Sequence, residues 1–266
     1  MLTNYHTHST FCDGKNTPEQ TVLAAIEKGF SALGFSGHGY TEFDLHSCMT
    51  DTGGYIAEVE RLKKKYENKI QIYLGIEEDM FGQVKRSDFE YIIGSMHYIK
   101  SEGRYYPLDL APSNITDCLE IFNGDSHSMA EAYYQAFCSY IKDRRPDIVG
   151  HFDLITKFDE KHRPIFLGDG EYDKIAERYL GTVADLDCIF EVNTGAISRG
   201  HRTAPYPNEN LLYVLKKHGS RIMLSSDCHF AEALDCHFEE TKKLLRDVGF
   251  SHAYALYDGQ FIRYAL

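Results

Sequence analysis

The side chains best suited to chemistry in this sequence are histidines and acids set close together. In Tyr5-His6-Thr7-His8-Ser9 two histidines stand one residue apart. Side chains of an extended strand alternate between its faces, so His6 and His8 are expected to project side by side. Asp227-Cys228-His229 repeats the spacing near the other end, just after the apolar run Arg221-Ile222-Met223-Leu224. Imidazole nitrogen combined with carboxylate oxygen suits Zn, Fe or Mn better than Mg or Ca alone. Both pairs are therefore expected to ligate metal in one site.

The elements that must carry these pairs follow from hydrophobic spacing and turn residues. Thr17-Pro18-Glu19-Gln20 is a helix start with a capping-box spacing, and Gly29 ends that helix. The run from Ser31 to Ser36 reads as a strand ending at His38. Ala32, Gly34, Ser36 and His38 share one face, as small residues in a crowded barrel interior would, while Leu33 and Phe35 face outer helices. After a helix near residues 55–62, a strand over 69–77 places Ile70, Ile72, Leu74 and Ile76 on its apolar face. By that parity Glu77 points inward, whereas Glu78 shares the apolar face or has entered the loop.

Four further strands repeat the design, running from Tyr91 into His97, Asp147 into His151, Cys188 into Asn193 and Arg221 into Asp227. Helical spacing fills residues 126–142, 171–185, 208–218 and 236–247, and residues 253–264 read as a hairpin across Asp258-Gly259. Seven strands alternating with helices predict an α/β fold, a distorted, TIM-like (βα)7 barrel forming one domain over residues 1–266. Active sites of such barrels lie at the C-terminal ends of the strands. His6, His8, His38, His97, His151 and His229, six of the 13 histidines, fall at strand ends, a regularity that chance placement does not give.

Composition narrows the function. A formal charge of −12 argues against long nucleic acid as a partner, because phosphate neutralisation supplies most of that affinity. No apolar run is long enough to span a membrane and Met1-Leu2-Thr3-Asn4 opens no signal peptide, so a soluble, cytoplasmic protein without a membrane partner is expected. Seven cysteines without a C-x-x-C pair indicate reduced thiols rather than a disulfide framework. The oligomeric state is left open.

As a set, Tyr5-His6-Thr7-His8-Ser9, Ser36-Gly37-His38, Gly75-Ile76-Glu77, Gly94-Ser95-Met96-His97, Gly150-His151-Phe152-Asp153, Glu191-Val192-Asn193-Thr194 and Ser226-Asp227-Cys228-His229 resemble the polymerase-and-histidinol-phosphatase (PHP) family. Ile93-Gly94-Ser95-Met96-His97-Tyr98 and the chain length are similar to its stand-alone histidinol-phosphate phosphatases. The resemblance implies a site for three divalent transition metals, Zn, Fe or Mn. His6, His8, Glu77 and Asp227 would hold the first, Glu77 would bridge to a second held with His97 and His151, and Asp13, His38 and His229 would hold the third. Without the resemblance, Asp13 in Cys12-Asp13-Gly14 reads as an ordinary turn.

The implied activity is hydrolysis of a small phosphate monoester, L-histidinol phosphate to L-histidinol and phosphate, with Glu77, Asp227 and His229 as catalytic residues. Three dications against three carboxylates leave about three units of positive charge, a match for a phosphate dianion and hydroxide. Arg199 and Arg202, in a loop after Asn193, and Lys157 are candidate substrate-binding cations; a solvated basic loop is the alternative. Where some relatives bear an arginine near residue 157, this chain has lysine. Asp153 would orient His151 or accept a substrate amine, unless it is only a turn residue. Rival readings are a nucleotide or oligonucleotide phosphoesterase and a non-catalytic metal-binding subunit.

Overall fold

Alternation along the strands decides which residues meet inside the molecule, and a computed structural model describing residues 1–266 shows the outcome. In chain order the elements are β1 (Thr3–Asn4), α1 (Pro18–Glu27), β2 (Ala32–Phe35), α2 (Thr52–Tyr66), β3 (Gln71–Asp79), β4 (Tyr91–Ser95), β5 (Tyr98–Ser101), β6 (Arg104–Pro107), α3 (Pro112–Ile121) and α4 (Ser126–Arg144). They continue with β7 (Ile148–Val149), α5 (Gly170–Gly181), β8 (Ile189–Asn193), α6 (Gly195–Ser198), α7 (Glu209–His218), β9 (Arg221–Ser225), α8 (Phe238–Val248), β10 (His252–Tyr257) and β11 (Gln260–Ala265). Strands β1-β2-β3-β4-β7-β8-β9 form one parallel sheet in that order. Beyond the first and last strands, Thr7 bridges Cys228 in parallel, with His8 N–H donating to the Cys228 carbonyl at 2.8 Å. The sheet is thus a nearly closed seven-stranded α/β barrel. No helix is long and apolar enough to cross a membrane.

The interior is graded along the barrel axis. Its lower part is apolar, built from Tyr5, Ala32, Tyr73, Tyr91, Ile93, Ile148, Ile189 and Met223, with Ala255 and Leu256 of the β10–β11 hairpin packed among them. Tyr5 Oη donates to the Leu256 carbonyl at 2.5 Å, so the hairpin stops that end. Two inward glycines make room for the Tyr91 ring, since a Cβ on Gly75 would lie 2.2 Å from its Cζ and one on Gly34 2.3 Å from its hydroxyl. The opposite face of the strands meets the helices, with Leu33, Phe35, Ile70, Ile72, Leu74 and Ile76 against Val22, Tyr55, Val59 and Leu62.

The sequence misses three elements between β4 and α4, the strands β5 and β6 and the helix α3. The β5–β6 hairpin turns through Glu102 and Gly103, both at positive φ, where Glu stands in place of the Asn or Asp that usually marks such a turn. Helix α3 follows Ala111, which has no capping side chain; instead Ala111 N–H donates to Asn114 Oδ1 at 2.7 Å. Elsewhere the boundaries shift by a few residues, except that α5 ends at Gly181, before the expected 185.

The parity of β3 separates its adjacent glutamates. Glu77 enters the interior, while Glu78 lies on the outer face and receives Arg144 Nε at 2.6 Å, Arg144 Nη2 at 2.9 Å and Tyr140 Oη at 2.8 Å. Glu78→Gln should lower stability by about 2–4 kcal/mol, because a bidentate charge pair on a buried carboxylate is broken. It should leave uptake of divalent cations unchanged; denaturant unfolding and metal analysis on the same preparation check both outcomes.

Candidate metal centre

At the upper end of the barrel the nine expected side chains converge. Glu77, 1 % exposed, lies at the centre with its two oxygens facing different partners. Glu77 Oε2 is 3.2 Å from His6 Nε2, 3.6 Å from His8 Nε2 and 2.9 Å from His38 Nδ1. Its Oε1 is 3.0 Å from His151 Nε2 and 3.4 Å from His97 Nε2. Asp227 Oδ1 completes the first group, 3.1 Å from His8 Nε2 and 3.7 Å from His6 Nε2. Asp13 folds back over the mouth, with His229 Nε2 at 3.2 Å from Oδ2 and His8 Nδ1 and His38 Nε2 at 3.6 and 3.8 Å from Oδ1.

Backbone shape helps to aim these groups. Asp227 adopts φ +46, the left-handed region that Asp tolerates better than most residues, and so turns its carboxylate toward His8 as the chain leaves β9. A Cβ on Gly14 would fall 2.4 Å from Ser9 N, so the turn after Asp13 presses against the segment carrying His8.

The donors fit metal ions by their chemistry and by what they leave unsatisfied. His6 Nε2, His8 Nε2, Asp13 Oδ1 and Glu77 Oε2 are buried and have no hydrogen-bond partner, although several lie close together. Polar atoms buried without partners are costly, and atoms that converge without aligning for hydrogen bonds have the geometry of ligands aimed at a shared point. Four such clusters form: His6, His8 and Asp227; His6, Glu77 and His151; His38, Glu77 and His97; and His8, Asp13, His38 and His229. His38 and His8 thus each lie between two clusters.

Charges within the centre are strongly coupled. Burial pushes the Glu77 carboxyl up, but His6, His38 and His97 outweigh it and hold the group well below the usual carboxylate range. Asp227 is held low in the same way by Arg199 and His6 against its own burial. Burial, reinforced by His229 and His38, lowers His8 to about 3, so its ring is neutral at ordinary pH, as a ligand must be. His6, His38 and His97 are shifted upward despite burial, chiefly by Glu77 and, for His6, first by Glu191.

The open side of the centre leads into a cavity of about 270 Å³ whose walls include Asp44, Tyr98, Asp109, Leu110, Lys157, Arg199 and His201. Arg199 faces it while donating Nη1 to the Asp227 carbonyl at 2.9 Å and Nη2 to Asp227 Oδ2 at 3.0 Å. Lys157 also lines it, paired with Asp109 Oδ2 at 2.9 Å. Arg202 does not reach the cavity, which corrects the expectation that it binds substrate. After the single turn of α6 the chain reverses at Gly200, φ +76, and Arg202 folds back into the protein, donating to Thr156 Oγ1 at 2.7 Å and lying over the Tyr206 ring. Asp153, buried beside it at 3.6 Å, accepts from Asn208 N–H rather than orienting His151. Asn193 is likewise internal, accepting from Gly195 N–H and donating to Glu191.

Two acids behind the imidazoles escaped the sequence reading. Asp79 Oδ2 accepts from His97 N–H at 2.9 Å and lies 3.2 Å from its Nδ1, and Glu191 Oε1 accepts from His6 Nδ1 at 2.6 Å. Both alternate in phase with inward strand positions, a signal the sequence does contain.

Fold and site together define a TIM-like barrel with clustered His, Glu and Asp donors at the carboxyl ends of its strands. The chain belongs to the PHP domain family, whose model matches residues 4–195. It is 26% identical over 273 residues to a protein of Schizosaccharomyces pombe named "Probable histidinol-phosphatase", covering 94% of this chain and 87% of the relative. It is 23% identical over 251 residues to the histidinol-phosphatase of Bacillus subtilis, covering 85% and 92%. The crystal structure of histidinol phosphate phosphatase from Lactococcus lactis, complexed with Zn, L-histidinol and phosphate, superimposes with a TM-score of 0.77 at 19% identity, over 98% of each chain. That likeness establishes the fold.

Glu77→Gln should remove cations from both groups that share it, whereas His97→Ala should empty only one; metal analysis after dialysis against Zn distinguishes the two. Metal uptake should release protons from His6, His38 and His97, whose affinity for protons is raised. Affinity should therefore fall as pH is lowered, by roughly tenfold per pH unit for each proton displaced, as metal titrations across pH 6–8 would register.

Proposed function

We propose that this chain is a metal-dependent phosphatase acting on a small phosphate monoester, with L-histidinol phosphate hydrolysed to L-histidinol and phosphate. The observation that carries this reading is the bridging position of Glu77, one oxygen toward His6 and His8 and the other toward His97 and His151. Membership of the PHP family and relatives named histidinol-phosphatase support it. Three metal ions, Zn, Fe or Mn, fit the donors: one on His6, His8, Glu77 and Asp227, one on Glu77, His97 and His151, and one on Asp13, His38 and His229.

Bound there, such ions would supply hydroxide near neutral pH and stabilise negative charge on the phosphoryl oxygens. The chain's own residues provide the remainder. Arg199, tethered to Asp227 and lining the cavity, offers a fixed guanidinium to a non-bridging oxygen. Lys157 offers a second cation, partly neutralised by Asp109. Because Asp13, Glu77 and Asp227 stay ionised, the donor set carries the negative charge that holds the ions and keeps the surplus small enough for phosphate to leave.

Acids on the cavity wall suit a cationic leaving group. Asp44, held by Tyr98 Oη at 2.5 Å and by Ser47 N–H, and Asp109 both face the cavity. An amino alcohol bearing an imidazole complements such a wall, whereas a nucleoside lacks the charge. The volume of about 270 Å³ suits a ligand of that size.

Metal-loaded protein should release phosphate from L-histidinol phosphate, and chelation, His8→Ala or Asp227→Asn should abolish turnover. Arg199→Ala should lower kcat/KM by roughly 10²–10³-fold, as loss of a charge-stabilising donor does. Full turnover by His8→Ala or Asp227→Asn would end the mechanism, and a nucleoside monophosphate cleaved faster than histidinol phosphate would move the substrate to the rival class.

A further inference from the structure

Behind the donor set stands a carboxylate that makes no contact with the cavity. Glu191, in the middle of β8 and 2 % exposed, divides four donors evenly between its oxygens. Oε1 accepts from His6 Nδ1 at 2.6 Å and from the Ser225 hydroxyl. Oε2 accepts from the backbone N–H of His151 at 2.8 Å and from Asn193 Nδ2 at 2.9 Å. These partners come from four places in the fold: the segment after β1, the end of β7, β8 itself and β9.

Every partner is a donor, so only a head group that accepts at both atoms satisfies all four. The contact with His6 also decides a tautomer. With its proton on Nδ1 and directed at Glu191, His6 presents a bare Nε2 toward Glu77 and Asp227. The contact with His151 N–H fixes the backbone where the chain leaves β7, and through it the place of the ring beside Glu77 Oε1.

We propose that Glu191 is the positioning residue of the centre: one acceptor-only carboxylate sets the tautomer of His6 and the strand end that carries His151, and so holds both halves of the Glu77 bridge in register. The proposal rests on the metal-binding reading of the nine donors and not on the identity of the substrate. A glutamine cannot replace Glu191, because its NH2 must face a donor on one side. Turned toward His6, it would force the proton onto Nε2 and block ligation; turned toward His151, it would push away the N–H that places that ring. Partners behind metal-bound imidazoles typically change metal affinity by about 10–100-fold when removed.

The test reads cation binding and structure rather than turnover. Zn titration of Glu191→Gln should show affinity lowered by about 10–100-fold for the ions on the His6 and His151 sides, with Glu191→Asp recovering part of the loss. Co-substituted Glu191→Gln should give a changed ligand-field spectrum. Glu78→Gln, equally buried on the outer face, is the control that loses stability without losing Zn. In the Zn-loaded wild type, nitrogen-15 NMR of histidine should find His6 protonated on Nδ1, a reading that does not depend on any variant folding. Wild-type Zn affinity in Glu191→Gln, an equal loss of Zn from Glu78→Gln at matched destabilisation, or a His6 proton on Nε2 would each overturn the proposal. Failure of histidinol phosphate as a substrate would leave these readings in force.

Discussion

A charge taken out of water must be met by other charges or by hydrogen bonds, and the barrel is arranged around that requirement at Glu77. The idealised cost of burying a carboxylate is of order 20 kcal/mol, and several kcal/mol remain after relaxation, so an isolated acid there would not stay ionised. Four strand ends bring imidazoles to within 3.6 Å of its oxygens instead, from His6 and His8, His38, His97 and His151. Those imidazoles need orientation in turn, which accounts for the further acids Glu191 and Asp79 behind them. The polar upper interior is one coupled network, and its apolar lower half supplies the rigidity that keeps the network in register.

Much of this was legible because a strand imposes a period of two. The inward course of Glu77 and the outward course of Glu78 follow from the four isoleucine and leucine positions before them, and the structure has Ile70, Ile72, Leu74 and Ile76 facing the helices. The same rule put Ala32 inside with Leu33 and Phe35 outside. Loops obey no such period. Arg199 and Arg202 stand three residues apart, yet the turn at Gly200 leaves one in the cavity and folds the other beneath Tyr206. Glu191 was legible in phase but not in role, since nothing in a single strand says that four donors from elsewhere will meet on one residue.

The net charge of −12 and the anion-binding role proposed for the cavity are compatible because they act over different distances. Surface charge is screened beyond about 8–10 Å at physiological salt, whereas groups inside a recessed cavity interact with little screening. Asp44 and Asp109 add negative charge to the cavity wall while Lys157 and Arg199 add positive charge, so the cavity presents both signs. A zwitterion-like ester, anionic at one end and cationic at the other, would find a partner for each end in such a wall.

The hairpin that stops the lower barrel comes from the far end of the chain, and its partner Tyr5 adjoins His6. The floor of the barrel is therefore closed by residues more than 240 positions away in sequence from the segment that carries the first imidazole. Floor and metal centre are thus coupled across a single peptide bond, so a change in how the hairpin packs on Tyr5 would be felt first at the segment that aims His6.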